Sequence, residues 1–381
     1  MSVIITLKNI DNPEKLGGIG IYYKVLQSHF TNGIKYFNYS DDDSKNILVK
    51  SFYRFYDIIK FAMNCFSRYN SHDLIHLNPS LSWSSIIRDG ILLLVSKLSG
   101  KKTVIFIRGW HEYMVNKIEN KKNINSLFKW VYNKSDAFIV LSNDFKEKLR
   151  EWGFKQKIFV ETTVVDNTLL NGNLANIKIN KNNDSLYLLF LARVEKAKGI
   201  FEVIDIYEYL KHKYPNIHLI IAGDGGSLQE IKSIVENRNI QDFEFTGYVT
   251  GEAKARTFAK SDVYIFPSYG EGMPNSVLEA MAFGLPVITR PVGGLRDFFE
   301  DGKMGFLTES KDPKVFAQLT EKLILDPDLC RQMGKYNAQF ARKHFLASVV
   351  AKRLERIYED VLNGEVVERS WMDTIEENPK S

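Results

Sequence analysis

Glu271 and Glu279 bracket the run Glu271-Gly272-Met273-Pro274-Asn275-Ser276-Val277-Leu278-Glu279, two carboxylates with seven residues between them. An apolar stretch at 263–266 reads as a buried strand, the Gly/Pro-rich loop after it carries Glu271, and Glu279 falls about one turn inside the helix that the loop opens. The first amides of such a helix, near Asn275, Ser276 and Val277, have no intrahelical partners and carry partial positive charge. They form an anion site. A carboxylate beside a phosphate is repelled, so Glu271 and Glu279 fit better as acceptors for sugar hydroxyls flanking a diphosphate held by those amides. The segment reads as a nucleotide-sugar cradle. The plainer alternative is that the helix dipole favours Glu in a first turn and that Gly284-Leu285-Pro286 merely stops a helix.

Basic groups are expected at the same edge. Arg193-Val194-Glu195-Lys196-Ala197-Lys198-Gly199 follows a strongly apolar stretch at 186–191, and Arg193 and Lys198 there can neutralise a departing diphosphate. In the first half, Gly17-Gly18-Ile19-Gly20 follows the first strand, so amides at Gly18 and Gly20 can approach a phosphate. A dinucleotide fingerprint would need a third glycine where Tyr23 stands. Asp41-Asp42-Asp43 after the second strand is read as a solvated loop, with a ribose-binding role as the rival. Arg108-Gly109-Trp110-His111 follows the strand at 103–107 and offers His111 for a sugar or a reacting hydroxyl and Arg108 for an acceptor phosphate. His76, inside a strand, is read as a core or cleft-lining residue.

The elements that must position these groups alternate throughout. Strands are expected at 3–7, 34–39, 74–77, 103–107, 137–141 and 158–160, then again at 186–191, 217–222, 243–246, 263–266 and 287–289, each followed by a helical pattern. This predicts an α/β chain of two Rossmann-like domains facing across a cleft. The first domain is expected over 1–166 and an asparagine-rich linker over 167–184. The second domain follows over 185–344, and a final helix with a polar tail over 345–381. At 381 residues the chain fits two cores, and 44% apolar with 25% charged residues is a globular composition. Cys65 and Cys330 stand far apart without metal spacing, so a reduced, cytosolic chain is expected. The first residues read as a strand and not a signal peptide, and no apolar run approaches the length of a membrane span. Residues 1–180 hold 25 basic against 16 acidic side chains, net +9, while 181–381 hold 26 against 30, net −4. A basic first half suits an anionic membrane surface or a lipid pyrophosphate, or is simply a solvated lysine surface. The aromatic stretch at 51–69 admits an interfacial membrane helix, but the strand due at 74–77 favours a helix packed on its sheet.

The whole order from Glu271 through Pro274-Asn275 and Glu279-Ala280-Met281-Ala282 to Gly284-Leu285-Pro286-Val287 resembles the E-x7-E signature of the retaining glycosyltransferases of family 4, which have the GT-B fold. The resemblance spans nearly the whole chain and is strongest from 186 to about 305. It implies transfer of a hexosyl or N-acetylhexosaminyl group from a UDP- or GDP-linked donor to a hydroxyl acceptor, with retention at the anomeric carbon. In that pattern Arg193 and Lys198 contact the donor phosphates, Glu271 holds the sugar, Glu279 the ribose, and the segment at Tyr248 and Val249 the base. Gly223 lies in a turn beside the site, Gly272, Met273 and Pro274 complete the loop, and the last helix crosses back to the first domain. No metal and no other cofactor are implied. A donor phosphate oxygen takes the acceptor proton. Relatives often have His-Gly where Arg108-Gly109 stands, which leaves the roles of Arg108 and His111 open. By analogy the acceptor is a lipid-linked glycan in cell-surface polysaccharide assembly, met at the inner face of the membrane, and nucleic acid is not a partner. An NAD-dependent oxidoreductase and a non-catalytic carbohydrate-binding protein on a transferase scaffold are the rival readings.

Overall fold

A computed structural model describes residues 1–8, 17–31, 33–40, 47–67, 72–170, 185–364 and 368–373. The chain divides into two compact units, Met1–Thr163 with Ala347–Ser381, and Val164–Leu346. Asp41-Asp42-Asp43 and most of the 167–184 linker lie outside the described residues; inside it, Asn167–Leu169 form a short 3-10 turn capped by Asp166.

Each unit holds one six-stranded parallel sheet. The first contains β1 (Ser2–Lys8), β2 (Gly33–Tyr39), β3 (Leu74–Leu77), β4 (Lys102–Phe106), β5 (Ala137–Val140) and β6 (Lys157–Val160), in the order β2-β1-β3-β4-β5-β6. The second contains β7 (Leu186–Leu191), β8 (Ile217–Ala222), β9 (Phe243–Gly247), β10 (Val263–Phe266), β11 (Val287–Thr289) and β12 (Gly305–Leu307), in the order β12-β11-β10-β7-β8-β9. β3, β5 and β10 are buried at every position. That is what helices on both faces of a parallel sheet require, and it is why these strands read as unbroken apolar runs. The α/β class and both Rossmann-like domains therefore stand as expected.

β7 is followed on one side by β8 and β9, after which the chain crosses to the other side and lays β10 against β7. Strand order reverses there. Ligands of open parallel sheets bind outside the carboxyl ends at such a reversal, and the loops that leave β7 and β10 are those of Lys198 and Glu271.

In the first unit the final helix, Ala347–Asn363, is fastened to the sheet through His76. The Tyr23 hydroxyl donates to Asn78 Oδ1 (2.8 Å) and so accepts from His76 Nε2 (2.9 Å), which leaves Nδ1 to accept from the Tyr358 hydroxyl (2.9 Å). His76 is a fully buried core residue with both nitrogens used. Burial pushes its imidazole down to about 3, with nearby Arg108 acting in the same direction. Tyr23 is fully buried against Tyr22 and His76, so a bulky ring fills the place where a dinucleotide turn would need glycine. The helix Ile47–Phe66 packs Phe61 and Cys65 inward as expected of a sheet-covering helix, yet its opposite face is apolar and exposed. No described helix is long and apolar enough to cross a membrane.

Candidate functional site

The second unit brings most of the expected groups to the carboxyl ends of β7 and β10. Two loops are tied together: the Tyr269 amide donates to the Ala197 carbonyl (3.0 Å), and Ser268 Oγ lies 3.3 Å from the same oxygen. Gly199, at φ +78°, caps the helix Ile200–Lys213, and a Cβ there would lie 2.3 Å from the Pro267 carbonyl oxygen. Only glycine allows this approach. Across the junction Lys198 Nζ meets Glu271 Oε1 at 2.5 Å, and Ser268 Oγ donates to the same oxygen at 2.8 Å. Both charged side chains are 14% exposed, so the pair is largely desolvated yet still reachable.

The loop of Glu271 is clamped from behind. Gly294 N donates to the Gly272 carbonyl (2.8 Å), and Gly293 adopts φ +52°, where a Cβ would lie 2.1 Å from Gly272 O and 2.4 Å from Glu271 O. Met273 and Pro274 are buried, and Pro274 begins the helix Asn275–Ala282, which has no side-chain cap. The Val277 amide donates to the Pro274 carbonyl (3.1 Å), so it is not the open donor that the sequence suggests. The Ser276 hydroxyl is also engaged, lying 2.7 Å from the Tyr264 hydroxyl. A nearby anion would therefore meet the Asn275 and Ser276 end of the helix.

Glu279 is 6% exposed and accepts from Lys254 Nζ at 2.5 Å, while its Oε2 is buried with no partner among the described residues. Burial raises its carboxyl above the usual range, Lys254 opposes that rise, and Asp166 adds to it. An orphan buried acceptor is costly unless a ligand hydroxyl supplies the donor. Sequence reading missed Lys254, which lies 25 residues away on the helix Gly251–Lys260 and in no recognisable motif.

Other expected residues stand differently. Arg193 is 68% exposed and pairs with Glu195 at 2.9 Å, not with the Lys198 and Glu271 pair. Gly223 follows β8 and donates to the Gly247 carbonyl (2.8 Å), joining two turns at the same sheet edge; Tyr248 is exposed and Val249 half-buried. Gly18 and Gly20 begin the helix Gly18–Leu26 of the first unit, Gly18 exposed and Gly20 buried. Arg108, also in the first unit, is not displayed on a loop surface. Its guanidinium stacks on Tyr22 at 3.7 Å, and its Nη1 is buried. His111 is exposed at the start of the helix Glu112–Asn120.

Residues 174–340 match the family described as glycosyl transferases group 1. The capsular polysaccharide biosynthesis glycosyltransferase CapM of Staphylococcus aureus is 30% identical over 183 residues, 47% of this chain and 47% of CapM. Trehalose synthase of Thermococcus litoralis is 34% identical over 184 residues, 46% of this chain and 43% of that protein. The chain thus spans about half the length of these curated relatives. Among solved structures, sucrose-phosphate synthase from Thermosynechococcus elongatus has TM-score 0.70 at 18% identity, covering 96% of this chain and 100% of that one. Anabaena HepE in complex with UDP-glucose has TM-score 0.69 at 14% identity, covering 94% and 100%. Residues 174–340 thus resemble the group 1 glycosyl transferases, and the two Rossmann-like domains have the fold of these solved structures.

Proposed function

We propose that this protein is a retaining glycosyltransferase that moves a hexosyl or N-acetylhexosaminyl group from a UDP- or GDP-linked donor to a hydroxyl of a lipid-linked glycan. The observation that carries the reading is the Lys198–Glu271 pair beside an uncapped helix start, with the unpartnered Glu279 Oε2 four residues into that helix. A cation and helix amides suit a diphosphate, and two carboxylate acceptors suit hydroxyls on either side of it. A donor diphosphate arriving at Lys198 competes with Glu271 for the ammonium and frees Glu271 Oε1 for a sugar hydroxyl. Arg193, being exposed and held among the described residues by Glu195, is placed to swing onto the phosphates.

In the proposed step the bond from the anomeric carbon to the diphosphate oxygen breaks and the acceptor oxygen bonds to that carbon on the same face. The acceptor proton passes to the departing phosphate oxygen. Lys198 and the helix start stabilise the charge that develops there, and neither a metal nor a covalent enzyme intermediate is invoked. CapM and the complex of HepE with UDP-glucose support a nucleotide-sugar donor and a role in surface polysaccharide assembly. A cytoplasmic site of action at the inner membrane face belongs to the same reading. The test is a panel of nucleotide sugars screened by thermal shift, followed by analysis of the anomeric configuration of the product. Stabilisation by one donor and an α-linked product from an α-linked donor are expected; an inverted product overturns the retaining assignment.

A further inference from the structure

The helix Ile47–Phe66 is apolar on two opposite sides. Phe61 and Cys65 face the core, whereas Phe52, Phe55, Tyr56, Ile59, Met63 and Phe66 are exposed, with Met63 69% and Phe52 67% accessible. At 100° per residue these six fall within an arc of about 100°, directly opposite Phe61. A surface stripe of this length is not the scatter of single apolar residues found on any soluble protein.

The stripe does not stand alone. β2, β3, β4 and β5 succeed one another in one direction across the sheet, so right-handed crossovers place their connecting helices on one side of it. The helices Ile47–Phe66 and Trp83–Leu98 pack together there, and Lys122–Tyr132 packs beside the second. Trp83, Ile87 and Ile91 are exposed along one side of the second helix, and Leu127 and Trp130 on the third. Cations accompany the aromatics. Lys117 Nζ lies 5.4 Å from the Trp83 ring and 4.3 Å from the Tyr113 ring, and Lys134 Nζ lies 5.0 Å from Trp130. Residues 112–134, which carry the helices Glu112–Asn120 and Lys122–Tyr132, hold five Lys against two Glu. A shallow depression of ≈ 380 Å³ on the first helix lies among Tyr56, Ile59 and Met63 and ends at Lys60.

We infer that this face of the first unit docks on a bilayer carrying anionic headgroups, the aromatic stripe entering the headgroup boundary and the lysines meeting the phosphates. Aromatic rings interleaved with lysine are the composition of a lipid interface, whereas protein interfaces are depleted in lysine. A second copy of the chain would bring two such basic faces together, which like-charge repulsion opposes. The inference deepens the lipid-linked acceptor reading by naming the surface that meets the lipid, but it rests on groups that take no part in donor binding.

The test is flotation of the full chain with vesicles of phosphatidylcholine alone or with about 30 mol% phosphatidylglycerol. The wild type is expected to float with the anionic vesicles, less so as salt is raised. The exposed triple variant Phe52→Ser, Phe55→Ser, Met63→Ser should lose about tenfold in partitioning for each side chain that enters the boundary, while keeping wild-type affinity for UDP by calorimetry. Wild-type protein that ignores both vesicles, or a triple variant that floats as well as wild type, overturns the inference. So does a concentration-dependent dimer that the triple variant disperses, since a second copy would then cover the face. Failure of the wild type to bind any nucleotide would instead sink the donor reading and leave the docking result standing.

Discussion

Lys254→Met should expose how Lys254 offsets the burial of the Glu279 carboxyl. The pair lies at 2.5 Å with side chains 21% and 7% exposed, and Glu279 Oε2 has no partner among the described residues. Removing one partner of a buried pair commonly costs about 3–5 kcal/mol. Here a proton sets a ceiling. Glu279 can escape by becoming neutral, and holding neutral at pH 7 a carboxyl whose ordinary value is 4.5 costs at most about 3.4 kcal/mol at ~1.36 kcal/mol per unit. Because the wild-type carboxyl is already raised by burial, part of that cost is present before the substitution, so the expected loss is about 2–3 kcal/mol. A folded-state value raised above the unfolded one means that the folded state binds the extra proton between the two, so the penalty grows as pH rises through that window. At pH 5 the same ceiling falls to about 0.7 kcal/mol. The double variant Lys254→Met, Glu279→Gln should recover most of the loss. All five tryptophans, at 83, 110, 130, 152 and 371, lie in the first unit, so their fluorescence does not follow this change. Hydrogen exchange of the β10 amides in urea reads the second unit directly, with fluorescence as the internal control. A loss below about 0.5 kcal/mol at pH 7, or one equal at pH 5 and pH 7, would refute the reasoning.

Gly293→Ala forces a Cβ into the Glu271 and Gly272 carbonyls at a φ of +52°; UDP affinity should fall about tenfold or more while stability falls by only about 1–3 kcal/mol, measured by calorimetry and urea unfolding. His76, held neutral down to about 3 between two tyrosines, binds fewer protons folded than unfolded below its ordinary 6.5, so stability is lost as pH falls from 6.5 toward 3. The loss should reach about 3 kcal/mol by pH 4. His76→Gln should flatten that acid limb in tryptophan fluorescence, which reports this unit, and an unchanged slope would count against the buried neutral imidazole. Transfer activity, once a donor is found, should survive exhaustive chelation; loss on chelation with recovery on manganese would contradict the metal-free mechanism.

Eleven strands were legible: the central ones, such as β3, β5 and β10, are unbroken apolar runs covered on both faces, and the partly exposed β2 and β9 still carry apolar and aromatic residues between turn signals. β12 was not, since Gly305-Phe306-Leu307 opens on a glycine, a residue depleted in strands, and becomes a strand through pairing with β11. The order of Glu271, Pro274 and Glu279 was legible because loop and helix start are local. What holds them is not: Lys254 reaches Glu279, Tyr264 meets Ser276, and Gly293 abuts Gly272, contacts that only the sheet brings together. The unit limits fall at Thr163 and Leu346 instead of 166 and 344. In the stretch at 51–69 composition shows aromatics but cannot tell which face a neighbour covers. The sheet-packed reading holds for the side of Phe61 and Cys65, and the opposite side is apolar and exposed. Arg108 likewise looks like a loop cation in sequence, and only the fold lays it on Tyr22.

The donor cradle itself is best tested by calorimetric titration of UDP and of uridine into wild type and Lys198→Met. If Lys198 releases Glu271 to grip the diphosphate, the variant should bind UDP at least about tenfold more weakly, a charge-assisted contact being worth roughly 1.5–3 kcal/mol, and uridine unchanged. Equal affinity of both proteins for UDP would contradict the account.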